Sequence, residues 1–272
     1  MRHLLRTTAR RVMACGVACG GAVLLSACVS GTSADLACKN DSAAKALSGD
    51  IQGNVVVPRN ATCYLKANIA GDVNAQDGAR IYVLDGTHIS GSFRAVGAAL
   101  VRFNLDGASA AASGRLGRAA PARIYVGSNL VVKESHLVGE SGIAATEIGG
   151  NLVILRNADG GGGGVASNEG HASFNVCTPG MCRPEAAVRV GKSVKIRQNQ
   201  VAVALNYTSI GADLKCASND YAPVLMKSQA GAGRVTVKGR KSGQCEHLRE
   251  VVTAPTPPAI ATPGSAVPAP KA

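Results

Sequence analysis

The segment Ile148-Gly-Gly-Asn-Leu-Val-Ile154 is one copy of a seven-residue phrase that recurs through the middle of the chain. The other copies are Ile51-Gln-Gly-Asn-Val-Val-Val57, Ile69-Ala-Gly-Asp-Val-Asn-Ala75, Ile89-Ser-Gly-Ser-Phe-Arg-Ala95, Val126-Gly-Ser-Asn-Leu-Val-Val132, Val190-Gly-Lys-Ser-Val-Lys-Ile196 and Ile210-Gly-Ala-Asp-Leu-Lys-Cys216. Every copy has Ile or Val first, Asn, Asp or Ser fourth, and apolar residues fifth and seventh. A phrase repeated in this way predicts stacked copies of one structural unit.

The alternating apolar positions of the phrase predict a short strand with one buried face. We therefore expect Val55, Val73, Leu152 and Leu214 to point into a core, and Phe93 and Phe103 to lie inward as well. Glycine beside Asn, Asp or Ser indicates a tight corner at which a positive φ must be tolerated. Lys192 and Ala212 replace the corner glycine in the last two copies, so we expect looser turns there.

The phrases begin 18, 20, 37, 22, 42 and 20 residues apart, and we interpret the two long intervals as two periods each. Residues 108–121 and the glycine run 160–164 blur the period, either as degenerate turns or as loops that leave the repeat. The prediction is an all-β, single-stranded β-solenoid or β-helix of about eight to nine turns, with roughly 20 residues per turn. A glycine-rich sandwich is the alternative.

The composition agrees with a narrow, repetitive core. Among 272 residues there are 33 Gly, eight Phe and Tyr together, and no Trp, while 46% are hydrophobic. The abundance of Val, Leu and Ile excludes a wholly disordered chain. The scarcity of large rings argues against a conventional sandwich or mixed α/β core.

The N-terminus has the pattern of an export signal. Arg2, Arg6, Arg10 and Arg11 precede a short apolar run, which ends in Leu25-Ser-Ala-Cys28. A basic region, an apolar region too short to span a bilayer comfortably and a small-residue cleavage site indicate secretion. The last four residues resemble the lipobox of bacterial lipoproteins, which implies that Cys28 carries the acyl chains, palmitate among them. Because residue 29 is Val rather than Asp, the resemblance favours an outer-membrane lipoprotein; an ordinary cleaved signal is the alternative.

Six cysteines remain after the signal and the lipidation site, namely Cys38, Cys63, Cys177, Cys182, Cys216 and Cys245. An even number in an oxidising compartment predicts three disulfides, with sequential pairing as the simplest of fifteen arrangements. Zinc is the rival, but no His stands at finger spacing, so we expect no metal.

The predicted boundaries are a lipoprotein signal peptide at 1–27, a tether at 28–37, a solenoid domain at 38–248 and a Pro/Ala-rich disordered tail at 249–272. The open ends of a solenoid need covers. We expect the bridges Cys38–Cys63 and Cys216–Cys245 to close them, with a short cap helix over 42–47.

Removal of the signal leaves 25 basic residues against 17 acidic ones, a net charge of +8. Such a surface predicts loose attraction to an anionic envelope glycan or lipid. The basic residues look scattered along the sequence and no aromatic platform accompanies them, so we expect no nucleic-acid binding. A protein partner cannot be inferred from the sequence.

Two sets of residues are candidates for chemistry. Asp85 and Asp106 stand 21 residues apart, about one turn, with His88 nearby, and could form a carboxylate pair or a Ca²⁺ site; simple Asp-Gly corners are the alternative. Glu169 and His171 could form an acid–base pair or lie in a polar loop. The tyrosines are spread out, which weakens a sugar-stacking site, and we expect no cofactor.

The Ile/Val-Gly-Asn-Val/Leu phrases, together with Leu214-Lys-Cys216-Ala-Ser-Asn219 and Lys241-Ser-Gly-Gln-Cys245, resemble secreted bacterial right-handed β-helix proteins of unknown function. The resemblance covers about Cys38 to Cys245 and implies a fold but no catalytic residue. We therefore expect a lipid-anchored, non-catalytic envelope scaffold or interaction surface. The alternatives are a polysaccharide-binding or polysaccharide-degrading β-helix and a solenoid that associates end to end.

Overall fold

Parallel β-structure dominates the chain. The computed structural model describes residues 35–104, 123–138, 140–160, 173–176, 187–228, 231–232 and 234–251. Apart from one 3₁₀ turn, Ala43–Lys45, the regular elements of these residues are strands, and their sheets are parallel except for one short antiparallel pair. An all-β fold compatible with a β-helix or solenoid is thereby confirmed.

The strands are short and are numbered here along the chain. The first nine are β1 (Leu36–Ala37), β2 (Leu47–Ile51), β3 (Val55–Val57), β4 (Thr62–Ile69), β5 (Val73–Ala75), β6 (Arg80–Val83), β7 (His88–Ile89), β8 (Phe93–Val96) and β9 (Leu100–Phe103). The next nine are β10 (Ile124–Val126), β11 (Leu130–Lys133), β12 (His136–Leu137), β13 (Glu140–Ile143), β14 (Thr146–Ile148), β15 (Leu152–Leu155), β16 (Ala158–Asp159), β17 (Ser173–Val176) and β18 (Val188–Val190). The last nine are β19 (Val194–Arg197), β20 (Ala202–Leu205), β21 (Thr208–Ile210), β22 (Leu214–Ala217), β23 (Val224–Ser228), β24 (Gly231–Ala232), β25 (Val235–Val237), β26 (Lys241–Gly243) and β27 (Arg249–Val251).

The phrase strands pair copy against copy in a nine-stranded sheet with the order β1-β3-β5-β8-β11-β15-β19-β22-β26. Residues of the fifth phrase position stand opposite one another along this sheet. The continuous series is Val55, Val73, Phe93, Leu130, Leu152, Val194 and Leu214. We call each strand of this sheet a rung, and each copy of the phrase found in the sequence therefore supplies one rung.

The two long intervals between phrases are single steps of this sheet, so their interpretation as two periods each was wrong. Phe93 of β8 pairs directly with Leu130 of β11, and Leu152 of β15 pairs directly with Val194 of β19. No rung separates either pair. Residues 108–121 and 161–164, for which the sequence left degenerate turns or loops open, lie outside the described residues.

The other strands form a sixteen-stranded sheet that divides at the long strand β4. Its first half pairs with β6, which continues through β9, β13, β17, β20 and β23. Its second half pairs with β7, which continues through β10, β14, β18, β21 and β25. A small third sheet consists of β12 and β16. After each strand of the nine-stranded sheet, the chain thus passes through the sixteen-stranded sheet before it returns.

The core is a continuous apolar cluster that runs along the sheets. Val55, Val73, Leu152 and Leu214 are all fully buried, as the sequence predicted. The three phenylalanines Phe93, Phe103 and Phe174 are buried as well. The rings of Phe93 and Phe103 pack edge to face with centroids 4.7 Å apart, so the interior accommodates single rings.

Glycine is needed in the phrase for close approach of neighbouring rungs rather than for a positive φ, which corrects the expectation from the sequence. The positive-φ glycines of the described chain lie elsewhere, for example at Gly78 and Gly97. A Cβ built on Gly91 would instead lie 2.7 Å from the carbonyl oxygen of Gly71 on the preceding rung. That distance is inside any real van der Waals contact, so the corner excludes a side chain there.

The corner row continues through the copies that lack this glycine. The N–H of Lys192 donates to the carbonyl of Gly150, and the N–H of Ala212 donates to the carbonyl of Lys192, both at 3.0 Å. The looser turns expected at Lys192 and Ala212 are therefore not found. In both copies the neighbouring position, Gly191 or Gly211, is glycine and makes the close approach.

The fourth phrase position carries Asn, Asp or Ser because its side chain accepts the N–H of the same position on the next rung. Asn54 Oδ1 accepts from the N–H of Asp72 at 2.8 Å, and Asp72 Oδ1 accepts from the N–H of Ser92 at 2.7 Å. Asn129 and Asn151 repeat the contact farther along. The side chain replaces a carbonyl partner that the turning backbone cannot supply.

The opposite corner uses a residue with positive φ followed by a buried polar residue. The residues with positive φ are Arg156, Gln198 and Ser218, at 54°, 55° and 55°. Each is followed directly by a buried asparagine, namely Asn157, Asn199 or Asn219. Asn199 Nδ2 donates to Asn219 Oδ1 at 2.9 Å, and Asn157 Nδ2 donates to Asn199 Oδ1 at 2.9 Å.

Each buried amide of this asparagine ladder also binds the backbone. Asn199 Nδ2 donates to the carbonyl of Ile154 at 3.0 Å, while Asn199 Oδ1 accepts the N–H of Asn157 at 3.1 Å. Amides that would be costly to bury alone are satisfied by their own repeats. The ladder therefore fixes the register of the last rungs.

Sheet pairing reaches a few residues beyond the domain predicted at 38–248, while the signal-peptide boundary after residue 27 lies outside the described residues. Leu36–Ala37, assigned to the tether, pair with Val55–Val56 of β3. Arg249–Val251, assigned to the disordered tail, pair with β23. The cap helix expected over 42–47 is only the 3₁₀ turn Ala43–Lys45, which buries no residue. Sheet pairing, which local composition does not reveal, extends the fold at both ends.

We predict that Gly91→Ala destabilises the protein by about 1–3 kcal/mol, because the new methyl group overpacks against the backbone of Gly71. The exposed neighbour provides the control Ser90→Ala, which should change the free energy of unfolding by less than about 0.5 kcal/mol. Urea titrations monitored by circular dichroism measure both. Equal stability of the two variants would refute the close-approach explanation.

We also predict that Asn199→Ala lowers the free energy of unfolding by about 2–4 kcal/mol, because it removes the acceptor of the buried Asn157 N–H and the amide donor to the Ile154 carbonyl and to Asn219 Oδ1. Gln200→Ala, at an exposed position one residue later, is the control and should be nearly neutral. Thermal unfolding of both proteins tests this. A neutral Asn199→Ala would mean that the ladder contributes no stability.

Candidate interaction surface

Two of the predicted disulfides lie at opposite edges of the nine-stranded sheet. Cys38, directly after β1, is bonded to Cys63 of β4, and the Cα atoms are 5.6 Å apart. Cys216 of β22 is bonded to Cys245, which follows the last strand β26, with a Cα separation of 5.3 Å. Sequential pairing is confirmed for these four residues. Cys28, Cys177 and Cys182 lie outside the described residues.

The structure describes only one member of the candidate carboxylate pair, Asp85. Asp85 is half-buried in the turn after β6, and His88 is exposed in β7. Asp106, Glu169 and His171 lie outside the described residues. Within the described ranges, no group of three or more His, Cys, Asp and Glu side chains could hold a metal ion. The pairing of Asp85 with Asp106 stays a prediction.

Tyrosines that look dispersed in the sequence come together on the outer face of the larger sheet. Tyr64 and Tyr82 are register partners, and their rings stack at 4.3 Å with an interplanar angle of 4°. Arg102 is the next partner, and its guanidinium carbon lies 6.0 Å from the centre of the Tyr82 ring. The row fills the shared ring faces, so a sugar could not stack between its members.

A second aromatic pair stands on the other half of the same sheet. His88 and Tyr125 are register partners with ring centroids 4.6 Å apart. Beside His88 lies an open surface hollow, to which Asp50 and Asn68 also contribute. Asn68 Nδ2 donates to Asp50 Oδ1 at 2.8 Å, so the carboxylate of this hollow is already engaged.

The basic residues are concentrated near the end of the fold, and the impression that they are scattered was wrong. Residues 35–104 contain seven basic and six acidic residues. Residues 187–251 contain eleven basic and four acidic residues. A count of charge by segment would have found this asymmetry in the sequence. The last rungs therefore carry most of the positive charge of the described fold.

The carboxylate of Asp213 lies within this positive region. Its Oδ1 accepts the backbone N–H of Arg240 at 3.0 Å, and its other oxygen lies 3.0 Å from the Lys215 ammonium. The hydrogen bond from Arg240 and that from Lys215 lower the pKa of Asp213 below its ordinary value. The carboxylate is thereby held ionised between basic neighbours.

The fold and the disulfides define a parallel all-β protein that is cross-linked near both edges of its nine-stranded sheet. No family model matches the chain, and no curated protein or solved structure is significantly similar to it. In the described part of the chain, no helix has the length and apolar character to cross a membrane.

We predict that the double substitution Cys216→Ala and Cys245→Ala lowers the free energy of unfolding by about 2–4 kcal/mol, because the bond closes a loop with a sequence separation of 29 residues. The pair Cys177→Ala and Cys182→Ala is the control. A bridge between Cys177 and Cys182 would close a much shorter loop, so its removal should lower the free energy of unfolding by less. Denaturant titration and thiol counting are the measurements. An unchanged midpoint, with the native bond verified, would contradict the prediction.

Proposed function

We propose that this protein is an outer-membrane lipoprotein of a bacterial cell envelope, anchored through acyl chains on Cys28. Its folded part serves as a non-catalytic scaffold or interaction surface. The basic n-region, the short apolar segment and the Leu25-Ser-Ala-Cys28 sequence support the anchor. The disulfides Cys38–Cys63 and Cys216–Cys245 support an oxidising compartment.

We further propose that the folded part is a β-solenoid of about eight to nine turns, closed by disulfide-capped ends. One observation carries the scaffold proposal: the same rung is repeated in register from Leu36 in β1 to Gly243 in β26. Side-chain hydrogen bonds at both corners tie neighbouring rungs together, as in the contacts of Asp72 and Asn199. Nine strands spaced about 4.8 Å apart span about 38 Å, which suits a rigid spacer.

The resemblance to secreted bacterial β-helix proteins enters this proposal as support for the fold alone. It offers no catalytic residue for transfer to this chain. The non-catalytic role is tested directly by incubating the purified protein with polyuronates, with and without Ca²⁺. Cleavage by the parent protein that is lost in Asp85→Ala would refute the scaffold proposal and favour a polysaccharide-degrading enzyme.

We predict that Cys28→Ala abolishes acylation and releases the protein from the membrane, because two or three acyl chains supply the anchoring energy. Cys19→Ala, within the same signal segment, is the matched control and should leave the protein attached. Mass spectrometry of the mature N-terminus and membrane fractionation are the measurements. A Cys28→Ala protein that sediments with the outer membrane like the parent would contradict the lipid anchor.

A further inference from the structure

Six exposed cations cluster on the last three rungs, at the corner before the nine-stranded sheet and on its outer face. This basic strip consists of Lys192, Lys195, Arg197, Lys215, Lys238 and Arg240. Lys195 of β19 and Lys215 of β22 are direct register partners. Strand spacing places their backbones about 4.8 Å apart, and like charges on such partners repel.

Few carboxylates balance the strip. Asp213 accepts from Lys215 and from the Arg240 backbone. Within the described residues, Lys192, Lys195 and Arg197 form no ion pair. Several neighbouring cations therefore face solvent, where they repel one another.

The same rows are uncharged on the rung immediately before, and farther back they carry only the single cations Arg94 of β8 and Lys133 of β11. Val153 of β15 occupies the position of Lys195, and Leu155 occupies that of Arg197. Gly150 precedes Lys192 in the corner row. The pairing of cations on adjacent rungs is therefore a local property of the last rungs rather than a requirement of the repeat.

We propose that the basic strip binds a linear acidic polysaccharide, such as a polymer of uronic acids. The partner deepens the proposed function and rests on it, because an envelope location is what exposes the strip to such a polymer. Successive rungs separate the charges of Lys195 and Lys215 by about one strand spacing, comparable to the length of one sugar ring in an extended chain. Neighbouring carboxylates of one polymer can thus meet neighbouring rungs.

The geometry favours a polymer over a membrane. The strip turns a corner, from Lys192 to the outer face at Lys195, so a flat bilayer could touch only part of it. It contains no apolar side chain for insertion. Leu36, the large apolar residue exposed among the described residues, lies in β1 at the opposite edge of the sheet.

The geometry also favours a polysaccharide over a nucleic acid. Single-stranded nucleic acids are bound through aromatic platforms as well as through cations. The strip has no aromatic member, and Tyr64 and Tyr82 lie on the larger sheet with their rings stacked on each other. Recognition by charge spacing alone suits a regularly charged glycan.

The test uses the secreted full chain carrying Cys28→Ala, so that acylation does not influence the result. Binding of polygalacturonate is measured by titration calorimetry at 50 and 150 mM salt. In this background, the triple variant Lys195→Gln, Lys215→Gln and Arg240→Gln should bind about tenfold more weakly. The matched control Lys39→Gln, Lys66→Gln and Arg80→Gln removes three exposed charges from the first rungs and should bind like the parent.

Circular dichroism and thermal unfolding establish that both triple variants are folded. Should the first variant unfold, charge-retaining Lys195→Arg and Lys215→Arg are compared with Lys215→Gln alone, and binding should follow the charge. Equal weakening by the two triple variants would reduce the effect to net charge and overturn the strip. Failure of the parent to bind polygalacturonate, or preference for phosphatidylglycerol vesicles or single-stranded DNA, would overturn the ligand class. Because the protein is unacylated throughout, either failure is distinguishable from failure of the Cys28 anchor.

Discussion

Lateral pairing between identical positions of successive repeats is the constraint on which this structure depends. A parallel rung can stack only if the backbones at its corners approach closely and every turning N–H finds an acceptor. The phrase meets both requirements within seven residues. Glycine allows the approach, as at Gly91 over Gly71, and the fourth residue supplies the acceptor, as Asn54 does for Asp72. Once the rungs are stacked, the alternation of side chains along each strand places the apolar fifth and seventh residues in the core.

The two corners solve the same problem by different means. At the phrase corner the acceptor row is at the surface and tolerates Asn, Asp or Ser, since any of these oxygens reaches the next N–H. At the opposite corner the ladder of Asn157, Asn199 and Asn219 is buried, where each amide needs both a donor and an acceptor. Only an amide side chain offers both functions at this length. Register is therefore held more strictly at the buried corner.

Much of this fold was predictable because the repeat made local and global signals agree. The inward positions Val55, Val73, Leu152 and Leu214 follow from alternation alone, and the two described disulfides follow from the order of the cysteines. The features that could not be predicted all depend on which residue stands opposite on the neighbouring rung. The true step from Phe93 to Leu130, the reason for the corner glycines and the stacking of Tyr64 on Tyr82 all require knowledge of register. The candidate surface was missed because cations distant in sequence, such as Lys195 and Lys215, become neighbours only once the rungs are aligned.

The direct pairing of β8 with β11 and of β15 with β19 has a consequence for how such a chain can change over time. Because the hydrogen bonds join each rung to its neighbours, the number of residues between one rung and the next is not fixed by the framework. Sequence can be inserted or lost at these two places while the flanking strands keep their neighbours. Evolution, or a protein engineer, could therefore graft new segments there without redesigning the rest of the molecule.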